Sequence, residues 1–324
     1  MFLESMSNTA QQVLILYLIV AVGFAADRLK IFKQTTSKLS NDLLFYVKTP
    51  CVIIKSFMDN DFDVKTVKSL GIAFLCMAGT LTVGILLSLP FFNKSADGQK
   101  AIFKYAVNYG NMGYMALPLC QAMFGNEGVL YCSAGVVAFN IFSFTHGIWV
   151  MTKSKGNTSF DFKKLLFNPG VISVLIGMPL FVFDINLPQV FQTAVGHVSN
   201  LNTPLAMLFF GTYIANTDLK SMFKLKENYL VAFLKLLVLP AIMLGIYKLV
   251  GVSGTLLSAC MISASVPSAN NTVMFSAKYG KDTGVASQVV AFNSGLSILT
   301  IPLMVAFADV LDKFSFADVL SKLL

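Results

Sequence analysis

An all-α integral membrane fold, with ten transmembrane helices built as two inverted five-helix repeats, is predicted by three features of the sequence. Of 324 residues, 56% are hydrophobic and 12% charged, and the mean hydropathy is +0.71. That leaves too little polar surface to cover a soluble globule. The pentapeptide Val136-Val-Ala-Phe-Asn140 returns as Val289-Val-Ala-Phe-Asn293, Thr49-Pro50 as Thr203-Pro204, and Gly125 as Gly280. A nearly constant offset means that one unit is present twice. Lysine and arginine also crowd into alternate connections, which sets the direction of each span.

Apolar runs of roughly 18 to 26 residues can cross a hydrocarbon core of about 30 Å as helices, at 1.5 Å per residue. The ten-residue alternation of membrane strands is absent. The spans are predicted at 9–26, 39–58, 69–92, 101–124, 129–151, 169–184, 198–216, 229–250, 255–277 and 284–308. The first has no basic segment before it and more spans after it, so it reads as a helix, not a cleaved signal. Residues 1–152 form the first repeat and 153–308 the second. The tail, 309–324, alternates charges with Val310, Leu311, Phe314, Phe316, Val319, Leu320 and Leu323, as an amphipathic helix at the outer interface does.

Sixteen basic residues fall in the connections 28–38, 94–104, 153–164, 220–226 and 278–281. Six lie on the opposite side: Lys55, Lys65, Lys68, Lys248, Lys313 and Lys322. The positive-inside rule makes the first group cytoplasmic and both termini extracytoplasmic, in a multi-pass protein of the cell membrane. Five spans per repeat is odd, so the second copy enters the membrane upside down. The net charge of +8 is spread over short connections without interleaved aromatics, which fits anionic headgroups and not nucleic acid.

No cofactor or metal is predicted. Five scattered cysteines, two histidines and the lack of CxxC or HExxH spacing give no metal signature. There is no GxxxxGK[ST] loop for ATP. Paired aspartates or a Ser/His couple at membrane depth are missing, which argues against an intramembrane enzyme.

The chemistry is expected in two interrupted spans. The fourth carries Asn108-Tyr-Gly-Asn111-Met-Gly113-Tyr-Met-Ala-Leu-Pro118, and the ninth Ser263-Ala-Ser265-Val-Pro267-Ser-Ala-Asn270-Asn271. Proline removes an amide donor, and glycine tolerates non-helical backbone. Irregular backbone at depth survives only where it lines a cavity or is buried in protein. Half-helix N-termini there attract an anion such as a carboxylate. Asn111, Asn270 and Asn271 offer donors and acceptors, with Asn140 and Asn293 on the following spans.

Asn111-x-Gly113-Tyr114-x-Ala116-x-Pro118, Pro267-x-Ala-x-Asn271, Phe124-Gly125 and Tyr279-Gly280 resemble the auxin efflux carrier family, of the bile/arsenite/riboflavin transporter superfamily. Ala116 departs from the glycine usual there, and the short central connection is similar to that of bacterial members. The resemblance covers essentially the whole chain. It implies crossing helices four and nine that hold the substrate, and a scaffold of helices 1, 2, 6 and 7, often dimeric. Against that scaffold, helices 3–5 and 8–10 move as an elevator. It also implies small organic anions as substrates, malate-like carboxylates or auxin-like acids. Asn111, Pro118 and Pro267 carry over most directly.

Lys48, beside Thr49-Pro50, is costly at membrane depth. It is expected either to face the substrate carboxylate, or to snorkel or pair with Asp42. Lys235 and Lys104 read as interfacial or structural. His146 is open to two readings, a proton shuttle or a packed histidine. No carboxylate occupies the predicted midplane. The sequence leaves open two alternatives, a sodium-coupled symporter of the bile-acid type and a membrane ligand sensor that does not transport.

Overall fold

A computed structural model describes residues 2–32, 43–60, 63–152 and 169–313. Among the described residues the secondary structure is helical, and the one extended pairing is an isolated antiparallel bridge between Gly110 and Ser268. Five helical runs are long and apolar enough to cross a membrane: Phe2–Arg28, Val64–Ser88, Met112–Thr152, Lys226–Leu249 and Thr283–Lys313. Pro169–Val182 and Gly254–Ser265 are shorter apolar helices.

In chain order the helices are α1 (Phe2–Arg28), α2 (Thr49–Met58), α3 (Val64–Ser88), α4 (Asp97–Asn108), α5 (Leu117–Phe142), α6 (Ile148–Thr152) and α7 (Pro169–Val182). There follow α8 (Gln189–Asn200), α9 (Asn202–Ala215), α10 (Lys226–Phe233), α11 (Leu239–Leu249), α12 (Gly254–Ser265), α13 (Asn271–Lys278) and α14 (Thr283–Lys313). Wider π turns join several of them. Those at Leu44–Lys48, Met112–Ala116 and Leu234–Val238 each end two residues before a proline, Pro50, Pro118 and Pro240. Proline cannot donate to the carbonyl one turn back, and its ring crowds that turn, so the helix widens there instead of breaking.

The run Met112–Thr152 has 41 residues, about 60 Å of helix and twice a bilayer core. It folds back at Gly125, where φ is 58° and ψ −143°, a backbone that glycine adopts without cost. A Cβ on Gly128 would stand 2.8 Å from the Cys120 carbonyl oxygen; eight residues of straight helix would hold them about 12 Å apart. The fourth and fifth predicted spans are therefore a tight hairpin.

Helices α1 and α9 meet backbone to backbone. A Cβ on Gly23 would lie 2.0 Å from the Leu208 carbonyl oxygen, and one on Gly211 2.1 Å from that of Val20. Small residues allow such approach between membrane helices, where dispersion takes over from the hydrophobic effect. The seventh predicted span, 198–216, is helical as α9 over Asn202–Ala215. A separate helix, α8, precedes it outside the predicted spans; Gln189–Asn200 has no buried residue and mixes polar with apolar side chains, which hides it from a hydropathy window.

Of the tail, 309–313 completes α14, and 314–324 lies outside the described residues. Asp309 accepts hydrogen bonds from Ser5 and, at 3.3 Å, from Ser258; Asp312 takes Lys248 at 3.1 Å and the Gly254 N–H at 2.8 Å. The end of α14 is thereby tied to α1, α11 and α12. Between α9 and α10, Asp218 accepts from the Ser221 hydroxyl and from the Ser221 and Lys220 amides. Those bonds hold its carboxyl below the usual carboxylate range.

Candidate functional site

Helix α4 stops at Asn108 and α12 at Ser265, and the two gaps that follow cross each other. The Asn111 N–H donates to the Pro267 carbonyl at 2.7 Å, and the Ala269 N–H to that of Tyr109 at 2.8 Å, on either side of the Gly110–Ser268 bridge. Two unwound segments thus satisfy one another as a minimal antiparallel sheet, the solution that apolar surroundings demand. A Cβ on Gly110 would come 2.9 Å from a Val266 methyl, so the strands approach only because that residue is glycine.

Side chains lock the crossing. Ser268, fully buried, donates to the Ala106 carbonyl at 2.8 Å and accepts from Asn293 Nδ2 at 2.7 Å. One asparagine of the duplicated pentapeptide therefore holds the second crossover segment. The other, Asn140, lines a cavity against the first, together with Gly110, Asn111, Gly113, Ala269 and Asn271 from the crossing, and Thr49 and Gly170 from α2 and α7. This cavity holds about 50 Å³, room for one or two waters.

Polar atoms without a partner concentrate here. Of eleven buried side-chain N and O atoms lacking a hydrogen bond among the described residues, seven belong to Asn108, Asn111, Ser265, Asn270, Thr272 and Asn293. Native proteins leave few such atoms. These seven atoms belong to residues in and around the two interrupted segments and their neighbouring helices.

Two larger cavities lie toward opposite ends of the fourth span. One, about 400 Å³, is walled by Ser88, Asn93, Lys100, Lys104, His146 and Trp149, and reaches Asn108. Lys100, Lys104 and Asn108 share one helical face at four-residue spacing. The other, about 610 Å³, is lined by Glu4, Asn8, Thr9, Phe124, Asp309 and Asp312. The crossing separates the two.

The structure accordingly sorts the residues singled out in the sequence. Asn111, Gly113, Asn140 and Asn271 share the small cavity, while Asn108 and His146 share the basic one. Ser265 and Asn270 end and begin the half-helices, Pro267 supplies a crossing carbonyl, and Pro118 follows the π turn just beyond the gap. His146 Nδ1 lies 3.0 Å from the Tyr109 hydroxyl, which itself donates to Phe142 O at 2.9 Å. Which ring nitrogen carries the proton decides whether Nδ1 donates to that hydroxyl or accepts from it. Lys48 is buried, with Nζ 3.5 Å from the Leu201 carbonyl; the alternative partner, Asp42, lies outside the described residues.

Lys235 requires a correction. An interfacial role fails, because it is 1% exposed and its Nζ lies at the crossing, 3.5 Å from the Ala264 carbonyl. Its distance from Pro240 along the chain misled the reading. The better signal was a lysine in a run otherwise without charge from Tyr229 to Tyr247. Ser268 was also missed, although it stands between Pro267 and Asn270 in the quoted motif.

Comparison with known proteins points to membrane transport. A family profile described as membrane transport protein matches residues 9–305. An uncharacterised transporter of Methanocaldococcus jannaschii is 24% identical over 300 residues, covering 90% of this chain and 96% of the relative. An uncharacterised transporter of Methanothermobacter thermautotrophicus is 24% identical, covering 91% and 97%. A protein of Rhizobium meliloti, provisionally named a malonate transporter, is 20% identical over 296 residues, covering 87% and 90%.

Proposed function

The chain belongs to the membrane transport protein family, the auxin efflux carrier type that its crossover residues resemble, and on that premise we propose that it is a secondary transporter of small organic anions. The observation that carries this reading is the Gly110–Ser268 crossing, with its gathered unpartnered polar atoms between a basic cavity and a second, opposite one. The substrate is a short carboxylate, malonate-like or malate-like. It binds at Asn111, Asn140, Asn270 and Asn271 near the free N-termini of the half-helices. A 50 Å³ cavity is well below the roughly 300 Å³ of an ordinary ligand pocket, so the site is closed and must open to load.

The proposed architecture is ten spans in two inverted repeats, with the basic connections and the Lys100 cavity on the cytoplasmic side and both termini outside. Helices α1, α2 and α7–α9 form the scaffold, two copies of which associate as a homodimer in the lipid bilayer. The hairpins on either side of the crossing move against it, as an elevator, to expose the site alternately.

The test is charge movement by purified protein in liposomes, challenged with malonate, malate, lactate and indole-acetate, beside Asn111→Ala. Asn111 contributes its main-chain N–H to the crossing whatever its side chain, so the variant should fold. Its buried Nδ2 has no partner and is free for a carboxylate. A dicarboxylate current in the wild type that Asn111→Ala abolishes is the expected result. An equal current in both would move the site elsewhere, and ligand binding without flux would make the protein a sensor.

A further inference from the structure

Among the described residues, Lys235 is the one lysine brought to the crossing itself. It sits in the π turn Leu234–Val238, is 1% exposed, and has the Ala264 carbonyl 3.5 Å from Nζ. A Cβ on Gly110 would stand 3.2 Å from the same nitrogen, so the amine also abuts the backbone of the first crossover segment. Ala264 belongs to the last turn of α12, and Gly110 follows the last turn of α4. Nζ therefore lies where two half-helices present their C-terminal, partially negative ends.

Among the described residues no carboxylate pairs with it. Asp97 is at the far end of α4, Glu227 is two turns back on α10, and Asp309 and Asp312 end α14. Helices α3 and α12 contain no acid. A buried charge without an ion-pair partner needs another source of stabilisation, and the two helix ends supply it. In carriers built from inverted repeats, the C-terminal ends of interrupted helices and their unwound carbonyls are where a coupling cation such as sodium binds.

We infer that the Lys235 ammonium is a tethered cation, held at the half-helix C-termini in the place a dissociable sodium ion would take. The positive charge at the crossing is then carried by a covalently attached group. Loading an anion next to it requires no sodium, and the substrate's negative charge is offset by a group that travels with the protein. The inference rests on the carrier reading for its meaning in transport, but the occupancy of the site can be tested without any substrate.

The experiment is thermal unfolding of purified wild type and Lys235→Ala, in choline, sodium and methylammonium chloride at equal ionic strength. A thiol-reactive dye reports exposure of the buried cysteines. The wild type should melt at the same temperature in all three salts. Lys235→Ala should melt lower in choline and recover by several degrees, saturably, in methylammonium or sodium, because a small cation binding only the folded protein shifts its stability. Lys235→Arg should keep the salt-insensitivity of the wild type.

Saturable sodium stabilisation of the wild type would overturn the inference. So would a Lys235→Ala protein that melts like the wild type, or one that ignores both small cations. Should the alanine variant not be recovered folded, Lys235→Met preserves the side-chain volume and is judged by the same comparison. Malonate currents decide the carrier reading separately, so either idea can fail alone.

Discussion

Removing one hydroxyl, with Ser268→Ala, is the sharpest test of the crossing. That oxygen donates to Ala106 O at 2.8 Å and accepts from Asn293 Nδ2 at 2.7 Å, and the residue has no exposed surface. Asn293 Oδ1 already lacks a partner, so the substitution strands the whole amide and takes one bond from the carbonyl. A buried polar group left without a partner costs about 1–3 kcal/mol, which makes about 2–4 kcal/mol a fair expectation for this site. At about 2–4 °C per kcal/mol for a mid-sized domain, Tm should fall by somewhere between 5 and 15 °C, roughly. Thermal unfolding followed by dye labelling of Cys76, Cys120, Cys132 and Cys260, all buried, reads this directly. Asn293→Ala breaks the same bond from the other side, so the double variant should lose less than the sum, with a coupling of at least about 1 kcal/mol. A Ser268→Ala protein that melts within a degree of the wild type, or strictly additive losses, would refute the claim that this bond locks the crossing.

Three further expectations concern charge, packing and direction. On the reading in which Lys48 faces the substrate carboxylate, Lys48→Met should raise the apparent KM for malonate roughly tenfold, as loss of one charge-assisted hydrogen bond of about 1.5 kcal/mol implies; an unchanged KM would assign the lysine to the Leu201 carbonyl alone. Gly211→Val places side-chain atoms where even a Cβ would lie 2.1 Å from Val20 O. It should therefore lower Tm by more than the usual overpacking cost of about 1–3 kcal/mol suggests. Gly245→Val, where nothing stands within 4 Å of a built Cβ, is the control, and equal losses in the two would contradict the close α1–α9 contact. Cysteines replacing Lys153 and Asp184 should react with an impermeant maleimide from opposite sides of the membrane, and same-side labelling would break the proposed topology.

The sequence disclosed the interruptions because they need residues that membrane helices otherwise avoid. Two asparagines, two glycines and a proline within 108–118 have no apolar explanation, and the ninth span repeats the signal. It could not disclose which residues meet. Hydrogen bonds between Asn111 and Pro267, or Tyr109 and Ala269, use main-chain atoms that every residue possesses, so no side-chain pattern marks them. Asn108 reads as a member of one site with Asn111, but a break in the helix turns Asn108 toward the Lys100 cavity while Asn111 faces α2 and α7. The helix at Gln189 escaped for a different reason, since an amphipathic helix carries its signal in periodicity and a hydropathy average cancels it.

On the proposed elevator reading, Lys48 reaches Leu201 inside the scaffold, and Gly110 pairs with Ser268 inside the moving unit. Movement of one unit against the other leaves these pairs intact. What must change is the contact between units, where Thr49 and Gly170 face Asn111 and Asn271 around the 50 Å³ cavity. The site should therefore load by parting those two walls while the crossing that shapes it stays closed.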